Sequence, residues 1–139
     1  MSALTLEQDN RAAILDVLKN DTWIVACLCA DWCDVCKAYR PGFDALAAQH
    51  PDKRFLWIDV EDQADLVGDL DIDNFPTLLL QRGDQVAFFG AVQPDLGITR
   101  RLITAYAQKS ATELQAEITG NPDREAWQDE CNLRQRLSA

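Results

Sequence analysis

Cys33 and Cys36 stand three positions apart in Trp32-Cys33-Asp34-Val35-Cys36-Lys37, a spacing that lets two thiols swap between dithiol and disulfide. The apolar run from Trp23 to Cys29 precedes them and reads as a strand buried on both faces. Lys37, Ala38, Tyr39 and Arg40, then Phe43, Leu46 and Ala47, follow with helical spacing. Cys33 therefore falls at a helix N-terminus, where unpaired N–H groups and the helix dipole favour a thiolate. Cys36 lies one turn further in, close enough to close a short disulfide. The chemistry this arrangement suits is thiol–disulfide exchange. Asp34 beside Cys33, with Asp31 close by, opposes the thiolate, and Lys37 acts with the helix terminus in its favour.

The elements that must position this pair alternate along the chain. Thr5-Leu6-Glu7-Gln8 reads as a capping box opening a helix to about Asn20. The strand at 23–29 follows, then a helix to about His50 with Pro41 inside it. Phe55 to Val60 reads as a second central strand, and Asp62 to Leu70 as a short helix. Thr77 to Gln81 and Gln85 to Phe89 form two strands joined by the turn signal Arg82-Gly83-Asp84. Pro94-Asp95 starts a helix carrying Leu96, Leu102, Ile103 and Tyr106. This order predicts an α/β fold: a central mixed β-sheet flanked by helices on both faces.

Composition narrows the function classes. A chain of 139 residues suits one domain with an ordinary core. The net charge of −10 argues against nucleic acid, since phosphate neutralisation needs clustered Lys and Arg and Arg100-Arg101 is too small a patch. The first twenty residues lack an apolar core of the secretory kind, and no stretch is long enough to span a bilayer, so no membrane role is expected. Five cysteines, an odd count without an even spread, fit a reducing, cytoplasmic setting.

Plainer readings of the same residues exist. A lone C-x-x-C can be half of a metal site, and Cys27, Cys29, Cys33 and Cys36 together could suggest four thiolate ligands. Cys27 and Cys29, however, sit in an otherwise apolar strand, whereas structural zinc usually takes C-x-x-C knuckles on turns, so no metal is expected and both read as small hydrophobes of the core. His50 reads as a helix-end surface residue. Cys131 reads as an inert thiol with only Arg134 as a basic neighbour one turn away.

Ala30-Asp31-Trp32-Cys33-x-x-Cys36-Lys37 with Pro41, then Phe75-Pro76-Thr77-Leu78-Leu79-Leu80, then a hairpin ending in Gly90, resembles the thioredoxin family over roughly residues 5 to 108. The likeness is to a cytosolic bacterial-type thioredoxin-related protein with a C-terminal extension. It implies a thioredoxin fold, a cis Pro76 facing the cysteine pair, and target binding by Trp32, Phe75 and Pro76. The implied activity is protein-disulfide reduction without a cofactor of its own. Cys33 would attack a disulfide-containing protein substrate, Cys36 would resolve the mixed disulfide, and a dithiol donor such as thioredoxin reductase would restore the pair. The chain carries no G-x-G-x-x-G after a strand with which to bind a nicotinamide by that route.

Departures from the family pattern are equally informative. Cys27 stands where the family carries a buried Asp that serves the second thiol as proton carrier, and Trp57 stands where its Lys partner would be. Asp59, on the same strand face as Trp57, is the nearby acid that could take over the proton relay. Cys29 takes the place of a family Trp, and Val35 that of a rigid Pro.

Residues 1–108 thus form the expected thioredoxin-like domain, and 109–139 a helical C-terminal extension. In the extension, Ser110 opens a helix to Thr119, Gly120-Asn121-Pro122 breaks it, and Asp123 to Leu137 forms a second helix with a thin apolar stripe. Trp127 and Leu133 either pack on the domain or are offered to a partner. The second choice would make the protein an interaction or folding-helper module whose extension does the work.

Overall fold

The alternating apolar segments assemble into a five-stranded mixed sheet in the computed structural model, which describes residues 3–138. Met1, Ser2 and Ala139, the ends of the two expected segments, lie outside the described residues. The strand order is β1 (Leu4–Thr5), β3 (Arg54–Asp59), β2 (Trp23–Cys29), β4 (Thr77–Arg82), β5 (Gln85–Ala91). β2 runs parallel to β3 and antiparallel to β4, and β4 is antiparallel to β5. β2 is central because Ile24 to Cys29 are apolar on both faces and buried on both.

The helices divide between the two faces. On one, Tyr39 and Phe43 of α2 (Asp34–Gln49), Ile103 of α4 (Leu96–Ala107) and Leu114 of α5 (Ala111–Ile118) pack on Val25, Phe55, Leu78 and Leu80. Phe43 is fully buried, with ring contacts to Tyr39, Phe55 and Trp57, a burial worth about 1.5–3 kcal/mol. Tyr39 ties α2 to α4 through a 2.5 Å hydrogen bond between its hydroxyl and that of Thr99. On the other face, Ile14 and Leu18 of α1 (Arg11–Lys19), Leu66 and Val67 of α3 (Ala64–Val67) and Leu133 of α7 (Leu133–Ser138) cover Ile24, Leu28, Leu56 and Ile58. Among the described residues no helix is long and apolar enough to cross a membrane.

Two local expectations are corrected. Thr5 does not cap a helix. Leu4 and Thr5 pair in parallel with Leu56 and Trp57, and the Leu6 N–H donates to the Trp57 carbonyl at 2.8 Å. The open edge of β3 captures this segment, so α1 starts later, after a 3₁₀ turn at Gln8–Asn10. There the Asn10 side chain accepts from Glu7 N–H and donates to the Thr5 carbonyl.

Nor does the second helix of the extension run unbroken. It divides into α6 (Pro122–Glu130) and α7 at Cys131–Asn132. The break lets buried Gln81 donate to Asn132 Oδ1 at 2.8 Å and accept from Leu133 N–H at 2.8 Å. Gln128 of α6 meanwhile accepts from the Val86 N–H and donates to its carbonyl, both at 2.8 Å, covering the outer edge of β5. Leu133 and Cys131 are buried and Trp127 half-buried against the same core, so the extension spends its apolar residues on packing. Burial also pushes the Cys131 thiol up to about 12, in keeping with an inert thiol.

Candidate active site

β2 delivers the chain to α2 through Ala30-Asp31-Trp32, and Cys33 is the N-cap of that helix. Its backbone is extended, with φ −84° and ψ 113°. Its N–H donates to Ala30 O at 3.0 Å and its carbonyl accepts from Lys37 N–H at 3.1 Å. The thiol is half-exposed, beside the free N–H groups of the first turn. Cys36, one turn in, is 1% exposed.

The pairing differs from the expectation. Cys36 is bonded to Cys29 at the end of β2, not to Cys33, with the two Cα atoms 5.9 Å apart, and Cys33 is free. Cys29 is therefore more than a small core hydrophobe: the first turn of α2 crosses directly over it, and their separation lies in the ordinary disulfide range. Cys27, two residues earlier on the same strand face, places its sulfur 3.7 Å from that of Cys29. Burial pushes the Cys27 thiol far up, with Arg40 pulling weakly the other way.

Trp32 is 66% exposed and packs edge to face on Phe75, ring centroids 5.8 Å apart. Its indole N–H donates to Glu61, a residue the sequence reading did not single out. The Phe75–Pro76 peptide is cis, and the Pro76 carbonyl accepts from Val92 N–H at 3.0 Å. Beside α2, Val35, Ala38, Tyr39, Pro94 and Leu96 line an apolar cavity of about 250 Å³.

A second cavity, about 260 Å³, reaches Cys36 between Ala30, Asp31, Lys37, Arg40 and Trp57. Trp57 pairs in register with Cys27, so the neighbouring strand brings no cation here. The cation comes instead from α2: the Arg40 guanidinium lies 4.8 Å from the centre of the Trp57 ring, steadied by Asp44 and Thr5. Asp59 is 5% exposed rather than solvated, accepting from the N–H groups of Asp31, Glu61 and Asp62 at 2.9–3.1 Å. Burial alone would push its carboxyl up, but those donors outweigh it and hold it below the ordinary range. Asp31, hydrogen-bonded to Asp59 and repelled by its charge, is pushed up. Of the two acids, Asp31 lines the cavity that reaches Cys36. His50 is half-buried, its ring stacked on Phe55, and burial lowers it.

The family model for thioredoxin matches residues 4–102. The chain belongs to the thioredoxin family. It is 30% identical over 100 residues to thioredoxin H2-1 of Oryza sativa subsp. japonica, covering 70% of this chain and 72% of that one. Thioredoxin of Oryctolagus cuniculus is 27% identical over 90 residues, 63% of this chain and 86% of the relative. Among solved structures, a poplar wild-type thioredoxin h superposes with a TM-score of 0.67 at 24% identity, covering 79% of this chain and all of that one. A chain from the complex of ferredoxin:thioredoxin reductase and thioredoxin f2 gives 0.66 at 20% identity, with coverage of 77% and 96%. The fold is thus the thioredoxin fold with added C-terminal helices, and the general activity is that of a thiol–disulfide oxidoreductase.

Proposed function

We propose that this thioredoxin-family chain is a protein-disulfide reductase in which Cys33 attacks and Cys36 resolves. The observation that carries the reading is Cys33 itself: half-exposed at the N-cap of α2, while among the described residues the other four cysteines are buried. A target disulfide meets this thiol first. Cys33 thiolate attacks one target sulfur, and the other leaves with the electron pair and takes up a proton. Cys36 then attacks Cys33, the target departs as a thiol, and the Cys33–Cys36 disulfide remains.

Exposed Trp32 and half-buried Phe75, packed edge to face, supply an apolar platform for the target's chain, which Pro76, next to Phe75 in sequence, continues. The relay that takes the Cys36 proton is the Asp31–Asp59 pair. Asp31 lines the Cys36 cavity, and Asp59 acts through it by raising its affinity for a proton. A dithiol donor of the thioredoxin-reductase kind restores the pair. The neighbouring thioredoxin f2, solved with a reductase, supports that class of partner, and a reducing compartment such as the cytoplasm suits the free thiols.

The test is reduction of insulin by the pre-reduced protein. Turnover with a supplied dithiol is expected; its absence would overturn the reductase reading and favour an interaction module.

A further inference from the structure

We propose that Cys29 is a third redox thiol: it exchanges with Cys33 for the sulfur of Cys36 and carries the disulfide left by target reduction to a buried position. This rests on the reading of Cys33 and Cys36 as the reductase pair and extends it.

The placement of the sulfurs makes the step possible. Three cysteines meet around the first turn of α2, Cys33 half-exposed and both Cys36 and Cys29 fully buried. Cys33 packs against the same apolar cluster that contains Cys27, Cys29 and Cys36. Cys36 thus has one thiol on its solvent side and one beneath it, and the bond to Cys29 is the one this structure holds.

The exchange needs no outside oxidant. The Cys29 thiolate attacks Cys36 Sγ of the Cys33–Cys36 disulfide. The Cys29–Cys36 bond forms, the Cys33–Cys36 bond breaks, and Cys33 leaves with the electron pair, taking up the proton that Cys29 gave to the cavity. Burial decides the direction. A thiol whose thiolate is hard to form ends up in the disulfide, and the thiol that meets water is released. The same burial at Cys27, 3.7 Å from Cys29, pushes that thiol far up, while Cys33 is released beside free N–H groups at a helix terminus. The Arg40 charge, which already acts on Cys27, eases the transient buried thiolate.

The consequence is a protein that regains a free nucleophile while still oxidised. With Cys36 held by Cys29, a mixed disulfide on Cys33 has no resolving thiol within the chain and persists until the target's own thiol attacks it back or the donor dithiol reduces it. The oxidised chain would then hold a target rather than release it.

Disulfide mapping tests this directly, because cleavage before aspartate separates the thiols into fragments 21–30, 31–33 and 34–43. Reduced wild-type protein is mixed with insulin supplying one target disulfide per chain, quenched in acid, alkylated with N-ethylmaleimide in denaturant and digested. Fragment 21–30 linked to 34–43, with 31–33 alkylated, is expected. Cys27→Ala should keep that link. Cys29→Ala should lose it, with 31–33 joined to 34–43 instead and its alkylated form gone. Cys33→Ser, oxidised with diamide, should still join 21–30 to 34–43. A wild-type map showing only 31–33 joined to 34–43 overturns the role of Cys29 and leaves the reductase reading standing. No intramolecular link at all overturns both.

Discussion

Cys27→Asp restores a carboxyl at the family's buried acid position, and the surroundings set what it must do. The site is 0% exposed, faces Leu78 and Trp57 across its neighbouring strands, and lies 3.7 Å from the Cys29 sulfur. Full burial raises a carboxyl by about 3 pKa units, from an ordinary value near ~3.9 to about 7. Each unit is worth about 1.36 kcal/mol, so the ionised variant should be less stable than its protonated form by roughly 4 kcal/mol. The folded value lies above the unfolded one, so folding stability is intact below about pH 4 and is lost as the pH rises to about 7. Arg40, whose charge already reaches Cys27, makes the loss smaller than this bound. Urea unfolding followed by tryptophan fluorescence at pH 4.5, 6 and 8, against wild type, reads the effect. Wild-type Cys27 adds no comparable slope, because burial keeps its thiol protonated throughout. If the variant and wild type changed in parallel to within about 1 kcal/mol, position 27 would not be dry and the account of the missing acid would fail.

Gln81→Leu keeps the side-chain size but strips the bonds to Gly83 O, Asn132 and Leu133 N–H. Two buried backbone groups left unpaired cost about 1–3 kcal/mol each, partly offset by the added apolar burial, so urea unfolding should show a loss of about 2–4 kcal/mol. Limited proteolysis should then cut first at Arg134 and Arg136; a stability change under about 1 kcal/mol would mean α7 is not held through Gln81. Asp59→Asn removes the bond and the charge that raise Asp31, so the Asp31 carboxyl should titrate lower by NMR. The same variant should slow Cys36 attack in single-turnover kinetics, and an unchanged rate would remove the Asp31–Asp59 pair as the relay.

The central strands, the hairpin, the active-site helix and the position of Cys33 were legible because each depends on local pattern: continuous apolar runs, a Gly-centred turn, a strand-to-helix junction. Cys29 was misread for the same reason. Its chain neighbours are all core residues, and only the crossing of α2 over β2, a tertiary contact, brings Cys36 to it. Thr5-Leu6-Glu7-Gln8 carries an acceptable local helix signal, but the unpaired edge of β3 outbids it. Arg40 as the cation over Trp57 has no local signal, because the helix rather than the neighbouring strand supplies it. Glu61 was within reach of inspection, two residues beyond Asp59, but nothing local shows that it meets the Trp32 indole. The break at Asn132 follows from a distant strand residue, Gln81, and no turn signal marks it.

The most direct measurement is a trapping experiment with the two thiols removed in turn. Cys36→Ser and Cys33→Ser are each incubated, reduced, with a disulfide-containing target, acid-quenched and resolved on non-reducing gels. Cys36→Ser should accumulate a mixed disulfide through Cys33, and Cys33→Ser should accumulate none, because its Cys36 is buried beneath the helix turn. Equal trapping by the two variants, or trapping by Cys33→Ser alone, would contradict Cys33 as the attacking thiol.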